Sequence, residues 1–298
     1  MMHARPVLLG SLLLVAAVFL GLWVRTARSC RERRWPTWIE LAIGVGTDFF
    51  DTLGIGSFAT TTSIYRFLGI VPDELIPGTL NVGHAPAAIT EALIFSTIVA
   101  VDPLLLACMV AAAASGAWVG AGVVVRLPRR KIRWAMGTAL LAAGLLLIAA
   151  IVGIMPGGGE ALGLHGWKFG IAVVVNFILG GLMTIGIGIF APCMLMLALL
   201  GMTPVAAFPI MMTSGALLQC VASERFLRSQ RYGFGAATGL AAGGVVGVLA
   251  AAALVRSLPI AALRWLVAAV VIYTAVALLR AAAMRDPQTV GSPAGVNG

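Results

Sequence analysis

The sequence predicts an all-α, polytopic membrane protein built from two homologous halves. Three observations predict this fold class. The 298 residues are 60% hydrophobic and only 10% charged, whereas soluble domains carry about 25% charged residues. Several uncharged runs reach the roughly 20 residues that a helix needs to cross a bilayer, and the chain aligns with itself. We therefore expect about nine apolar helical segments, two of which are interrupted helices.

The uncharged runs are Pro6–Val24, Pro103–Val125, Trp134–Gly159, Phe169–Ser223 and Tyr232–Val255. The first lies in an extra N-terminal segment, residues 1–30, and could be the apolar part of a signal peptide. A basic cluster follows it, however, and no Ala-x-Ala cleavage site is evident, so an uncleaved first span is favoured. Residues 284–298, rich in Gly and Pro, are expected to form a flexible tail.

Arginine supplies most of the net charge of +9. It clusters between apolar runs in RTARSCRERR at 25–34, RLPRRKIR at 126–133 and ERFLRSQR at 224–231. Short basic loops mark the cytoplasmic face of a membrane protein. We therefore expect a lipid bilayer, and no nucleic acid, as the partner of this charge, and a cytoplasmic C-terminus.

The cysteines predict neither a metal site nor a redox site. Cys30, Cys108, Cys193 and Cys220 form no CxxC pair. No cofactor is expected, and no G-x-x-x-x-G-K-[ST] motif for ATP is present. Transport by such a chain would be driven by a gradient or by a partner ATPase.

An internal repeat divides the chain. An offset of 132 residues aligns LGIGSFATTTSIYRFLGIVPDELIPG at 53–78 with IGIGIFAPCMLMLALLGMTPVAAFPI at 185–210 without a gap. After one deletion the agreement resumes at an offset of 131, where Arg133-Trp134 meets Arg264-Trp265. The predicted halves are residues 37–154 and 168–283.

Both halves carry a Gly-x-Gly pair near their start, which predicts a helix break. Repeated apolar halves interrupted at matching positions indicate a transporter binding site, and unwound backbone is tolerated in a membrane only where it is buried or lines a cavity. The alternative is that these glycines allow close helix packing. The predicted break residues are Gly54, Gly56, Gly186 and Gly188.

The basic clusters favour an inverted repeat. If residues 37–70 crossed the membrane once, the basic loops at 25–34 and 126–133 would lie on opposite faces. Two short helices that form a hairpin would place both loops in the cytoplasm, and the same assumption for 168–202 places 224–231 there as well. Each half then has five segments, an odd number, so the halves are inverted and their short helices meet near the midplane.

These motifs resemble the TauE/SafE family of sulfite exporters, also called TSUP permeases. The resemblance is carried by the Gly-rich start of each half, the Pro-x4-Pro that follows, and the blocks DFFDTLGIGSFA, LNVGHA, LPRRKI, VVNFILGGLMTIGIG, APCM and FPIMM. It covers residues 37–283 and leaves residues 1–30 outside. It implies a bacterial cytoplasmic-membrane permease, not an enzyme, that moves sulfite, an organosulfonate or a thiosulfate-like anion, with export as the expected direction.

Three acids lie inside apolar segments: Asp48, Asp51 and Glu91. Ionisable residues at membrane depth are costly and suggest function. Their partners under the offset are Gly180, Met183 and Ser223, so the second half has no equivalent acid. Because carboxylates do not attract an anion, we expect these acids to carry a coupling proton or cation. Capping of a helix start by Asp48 or Asp51 is an alternative that can coexist with this role.

The anion itself is expected to contact helix N-termini, backbone N–H groups and hydroxyls. Asn81 and His84, three residues apart, share a helix face, and His84 could shuttle protons or simply bond a backbone carbonyl. The matching region of the second half offers Thr213, Ser214 and Gln219. Cys193 could donate a weak hydrogen bond, although packing is its commoner role.

Two further functions are kept open. An intramembrane enzyme could use Asp51 with His84, or Cys193 with His84, although the duplication argues against it and HExxH and GxSxG motifs are absent. A membrane scaffold subunit is the other alternative, and the lack of a large docking loop argues against that.

Overall fold

The computed structural model describes residues 4–28, 34–53, 56–98, 101–154, 159–186, 188–254 and 260–283. Within these residues the chain is all-helical, with an isolated β-bridge between Ala161 and Met202. The eleven helices are α1 (Ala4–Ala27), α2 (Trp38–Thr52), α3 (Ser57–Leu68), α4 (Ile76–Ile98), α5 (Pro103–Val124), α6 (Arg129–Ile151), α7 (Gly166–Met183), α8 (Phe190–Leu199), α9 (Pro204–Ser229), α10 (Phe234–Leu254) and α11 (Ile260–Ala283).

Among the described helices, six are long and apolar enough to cross a membrane: α1, α5, α6, α7, α9 and α10. The all-α prediction is confirmed, and the number of such helices supports a multi-pass membrane protein. The nine apolar segments expected from the sequence remain a prediction.

Both predicted helix breaks are present. The chain leaves the helix after Thr52 and resumes at Ser57, and it leaves the helix again after Met183 and resumes at Phe190. Gly56 has φ 92° and Gly186 has φ 114°, a backbone region that side chains disfavour. Glycine is therefore needed at each break for its conformation. Gly54 lies outside the described residues, and Gly188 lies two residues before α8.

One end of the helix assembly gathers the basic segments. Arg34 lies against Gly235 at the start of α10, and the Arg231 guanidinium donates a hydrogen bond to the carbonyl of Val125 at the end of α5 (3.0 Å). At the end of α11, the Ala282 carbonyl accepts a hydrogen bond from Arg130 (2.9 Å). We call this the basic end.

The α2–α3 pair begins and finishes at the basic end. Arg34, just before α2, is paired with Glu40 in the first turn of α2, where Thr37 and Glu40 form a capping box. The loop after α3 also lies at this end, because its Asp73 is bound by Arg133 of α6 (2.7 Å). Since both ends of the pair lie together, α2 and α3 form a hairpin with its break in the interior.

The α7–α8 pair begins and finishes at the opposite end. Lys168 in the first turn of α7 donates a hydrogen bond to the Leu200 carbonyl just after α8 (2.9 Å). The Gly159 amide bonds the Met202 carbonyl (3.0 Å), and the Asp102 amide, just before α5, approaches the Leu162 carbonyl (3.4 Å). Both ends of this second hairpin therefore lie at the end of the assembly opposite the basic end.

Glycines allow the two hairpins to pack closely against the intact helices. A Cβ on Gly116 of α5 would collide with the Phe177 carbonyl oxygen of α7, and a Cβ on Gly247 of α10 would collide with the Val45 carbonyl oxygen of α2. The offsets of the internal repeat align Gly116 with Gly247 and Val45 with Phe177. The two contacts thus occur at matching positions of the two halves.

Asp73 joins three segments at the basic end. Its carboxylate accepts hydrogen bonds from Arg66 of α3 (2.5 Å) and from Arg133 of α6 (2.7 Å). Burial opposes ionisation of this side chain, but the two arginines outweigh burial and hold the pKa of Asp73 below its usual value. A lowered pKa in the folded state means that the ionised carboxylate stabilises the fold.

Asp73→Asn is expected to lower the stability of the purified protein at pH 7 by about 1.5–3 kcal/mol, the range for a hydrogen bond to a charged group. The stabilisation from Asp73 is present above the ordinary pKa of about 3.9 and is lost as the pH falls through the lower folded-state pKa. Thermal unfolding in detergent should therefore show a large difference between wild type and variant at pH 7 that shrinks in acid. Glu74→Gln is the control, because Glu74 pairs with a half-exposed Arg129 and exposed pairs contribute little. A deficit of the Asp73 variant that stays constant with pH would contradict this account.

Candidate functional site

The first helix break brings buried polar side chains from three helices together. We call them the first-half cluster: Asp48, Asp51 and Thr52 of α2, Ser57 and Thr61 of α3, and His84 and Glu91 of α4. Every one of these residues is buried. Buried polar groups need partners, and the arrangement of those partners defines the site.

His84 uses both of its ring nitrogens within this cluster. Nδ1 lies 2.9 Å from each carboxylate oxygen of Asp48, and Nε2 lies 3.0 Å from the Thr61 hydroxyl. The order is carboxylate, imidazole, hydroxyl. The ring centroid of Phe58 lies 5.5 Å from that of His84 and covers the imidazole on one side.

This geometry corrects two expectations about His84. The ring is bonded to side chains, so the expected bond to a backbone carbonyl is wrong. The enzyme alternatives paired His84 with Asp51 or with Cys193, but both ring nitrogens are engaged by Asp48 and Thr61. Neither nitrogen is left to activate a thiol.

Asp51 caps the second helix of the hairpin. Its Oδ1 accepts a hydrogen bond from the Ser57 backbone N–H (3.0 Å), and its Oδ2 accepts one from the Ser57 hydroxyl (2.6 Å). The capping hypothesis is confirmed for Asp51, although the helix that it caps is the next one along the chain. For Asp48 that hypothesis is wrong, because Asp48 lies within α2 and its carboxylate contacts His84.

Glu91 meets α2 on the far side of the cluster. Its Oε1 accepts a hydrogen bond from the Thr52 hydroxyl (2.8 Å), which also lies 2.9 Å from the Asp48 carbonyl. Glu91 Oε2 has no hydrogen-bond partner among the described residues. The three acids therefore each have a different partner, and no group of three or more His, Cys, Asp or Glu that could hold a metal ion occurs in the described part of the chain.

Asp48 fits because α10 carries a glycine opposite it. A Cβ on Gly244 would collide with Asp48 Oδ2 and would lie 3.0 Å from the Ala87 Cβ. In the second half, the residue aligned with Asp48 is Gly180, which packs against Ala113, the residue aligned with Gly244. The space for the acid is thus provided by a residue far along the chain.

The polar residues predicted in the second half lie in a separate network. The Asn176 amide of α7 donates hydrogen bonds to the Met109 carbonyl (2.7 Å) and to the Ser214 hydroxyl (3.3 Å). Gln219 and Thr213 are buried on the same helix as Ser214, and Gln219 Oε1 has no partner in the described residues. Cys193 is a buried, free thiol in α8.

Asn81 and His84 share α4 but not their partners. The Asn81 amide nitrogen donates a hydrogen bond to the Pro77 carbonyl one turn earlier (2.8 Å), whereas His84 faces α2 and α3. Asn81 and His84 therefore belong to different hydrogen-bond networks, although they lie three residues apart on one helix.

The sequence reasoning did not assign Thr52, Ser57 or Gly244 to the site. Ser57 could have been predicted as a site residue, because it directly follows the Gly pair and is therefore the first residue of the helix after the break. A signal for Gly244 was the run of small residues in α10. Nothing in the local sequence pairs Thr52 with Glu91, which lies 39 positions further along.

Comparison with known proteins identifies one family. The family model described as Sulfite exporter TauE/SafE matches residues 3–158, just over half of the chain. The matched region contains the first-half cluster and also α1, which the resemblance seen in the sequence left out. Searches of curated proteins and of solved structures found no match.

Proposed function

The chain belongs to the TauE/SafE family of sulfite exporters, and we propose that it exports a sulfur-containing anion across the bacterial cytoplasmic membrane. The candidates are sulfite, an organosulfonate and a thiosulfate-like anion. Members of this family are transporters rather than enzymes. The observation that carries the proposal is the buried acid–imidazole cluster beside a broken helix, a combination typical of gradient-driven transporters.

We infer that residues 37–154 and 168–283 are inverted repeats, preceded by the extra span at 1–30 and followed by the tail at 284–298. Two observations support this. The α2–α3 hairpin has both of its ends at the basic end, whereas the α7–α8 hairpin has both of its ends at the other. The contacts of Gly116 and Gly247 both join one half to the other, α5 to α7 and α10 to α2, and the repeat exchanges these two pairs of helices.

The basic end is proposed to face the cytoplasm. It holds Arg34, Arg66, Arg129, Arg130, Arg133 and Arg231, and short arginine-rich loops stay on the cytoplasmic side. Because Ala282 lies at this end, the C-terminus is assigned to the cytoplasm as well.

The first-half cluster is proposed to carry the coupling proton. Asp48, His84 and Thr61 form a continuous chain of proton-accepting and proton-donating groups, with Asp51 and Glu91 as the other ionisable groups beside it. Imidazole exchanges protons near neutral pH. A coupling metal cation is disfavoured, because the three carboxylates bind separate partners instead of converging on one point.

A hydroxyl–imidazole–carboxylate chain is also the arrangement of a hydrolase triad, which keeps the enzyme alternative in view. Membership in a transporter family, however, argues against a hydrolase. Proton carriage uses the same three groups without requiring access for a substrate.

Flux measurements test the proposal. The purified protein, reconstituted in liposomes, is expected to move labelled sulfite, taurine-like sulfonates or thiosulfate down an imposed gradient, and a pH difference should change the rate. Liposomes without protein are the control for leakage. Absence of flux for all three anions at every pH gradient would refute the permease assignment.

A further inference from the structure

Resting on that proposed function, we propose that the transported anion binds at the N-terminus of α8, in the position that the Asp51 carboxylate occupies at the N-terminus of α3. The recognised group is the SO3 head, with three terminal oxygens, that sulfite, sulfonates and thiosulfate share. In this assignment the first half contains its own anion and the second half accepts the substrate.

The first half shows how such a site is built. The N-terminus of α3 presents the Ser57 N–H and hydroxyl to two oxygens of Asp51. Helix N-termini attract anions because their first N–H groups lack partners within the helix and the helix dipole is positive there. Asp51 therefore acts as a tethered oxyanion across the break.

The second half has a helix start at the aligned position, but it lacks both the acid and the serine hydroxyl that binds it. The residue aligned with Asp51 is Met183, an apolar side chain at the end of α7. The residue aligned with Ser57 is Ile189, which has no hydroxyl and directly precedes the ten-residue helix α8. The helix start that is neutralised in the first half is thus left to another acceptor in the second.

A buried hydroxyl marks the same place independently. Thr62 of α3 is only 1% exposed, and its Oγ1 has no hydrogen-bond partner among the described residues. Gly186 lies in the break that leads into α8. A Cβ added to Gly186 would lie 3.8 Å from this Thr62 oxygen, and no other atom outside the adjacent chain would be nearer. A buried hydroxyl without a partner is rare, and a ligand with acceptor oxygens would supply the missing bond.

Ser223 extends the pattern. It is the residue aligned with Glu91, it is fully buried, and its hydroxyl likewise has no partner in the described part of the chain. Two of the acids in the first half thus correspond in the second to an apolar side chain, Met183, and to the unpaired hydroxyl of Ser223. Neutral donors of this kind can hold an oxyanion without a permanent cation, which suits a ligand that must also leave.

Met183→Asp tests whether a tethered carboxylate displaces the anion. By analogy with Asp51, the new carboxylate should cap α8, and sulfite affinity measured by calorimetry on the purified protein should fall more than tenfold. Met183→Leu is the matched neutral control and should bind sulfite as the wild type does. Sulfite affinity of the Met183→Asp variant equal to that of wild type would overturn the assignment.

Thr62→Val provides a second test that does not depend on an introduced charge. Removing an unpaired buried hydroxyl should raise the unfolding temperature of the anion-free protein, while sulfite affinity falls about tenfold. This combination would separate a ligand contact from a structural role, since loss of a structural hydrogen bond would lower both quantities.

The outcomes separate this inference from the proposed function. Normal sulfite flux by wild type, together with unchanged affinity in the Thr62 and Met183 variants, would overturn the site alone. Absence of flux by the wild type for every sulfur anion tested would overturn the transport function itself.

Discussion

Asp48→Asn is expected to reduce gradient-driven sulfite flux by at least about tenfold, which corresponds to about 1.4 kcal/mol in a barrier. Asparagine preserves the shape of the side chain and one acceptor for His84, so folding should be largely retained. It cannot bind or release a proton, however, and the chain from Asp48 through His84 to Thr61 would lose its acid. Flux in proteoliposomes, measured across a series of internal and external pH values, checks this result.

The pH profile matters more than the rate in this experiment. Wild-type flux should change with the pH gradient, and the flux that remains in the Asp48→Asn protein should not. Asp102→Asn is the matched control, because Asp102 caps α5 at the end opposite the basic one and lies outside the cluster. A variant with normal flux and an unchanged pH profile would rule out Asp48 as the coupling residue.

Gly44→Ala is expected to destabilise the protein by about 1–3 kcal/mol, the usual range for overpacking a tight interior. The added methyl group would lie 2.7 Å from the Leu240 carbonyl oxygen and 3.0 Å from the Gly244 amide nitrogen. Both are backbone atoms of α10, so α2 and α10 would have to separate. The unfolding temperature in detergent and the yield of folded protein measure the effect.

Gly46→Ala is the matched control on the same helix. Apart from the adjacent backbone of α2, no atom lies within 4 Å of the position that its methyl group would take, and alanine favours a helix over glycine by up to about 1 kcal/mol. The two substitutions are chemically identical and are expected to act in opposite directions. If both lowered the unfolding temperature equally, the close approach of α2 and α10 would not be its cause.

The features that the sequence predicted well are those determined locally or by repetition. Hydrophobic composition predicted an all-helical membrane protein, and the Gly pairs predicted the two breaks because a left-handed φ requires glycine at Gly56 and Gly186. The family resemblance was identified from short motifs and is now shown by the match to residues 3–158.

The partners within the site were harder to predict, because they depend on how distant helices pack. The acids and His84 were recognised as buried polar groups, but spacing alone could not decide which acid meets the imidazole. Asp48 and Asp51 are three residues apart on α2, and the choice is made by the direction in which each faces: Asp48 towards α4 and α10, and Asp51 towards the start of α3. Gln219 and Ser223 were similarly visible as polar residues, without any indication of what they bond.

The fit between Asp48 and Gly244 has a consequence for how such proteins can diverge. A side chain at position 244 would displace the Asp48 carboxylate from its place beside His84, so the two positions should change together among related sequences. In the second half the constraint is stricter, because a Cβ on Gly180 would collide with the backbone carbonyl oxygen of Ala113. An acid at position 180 would therefore require α5 and α7 to separate, so the close packing of these two helices confines the acidic cluster to the first half.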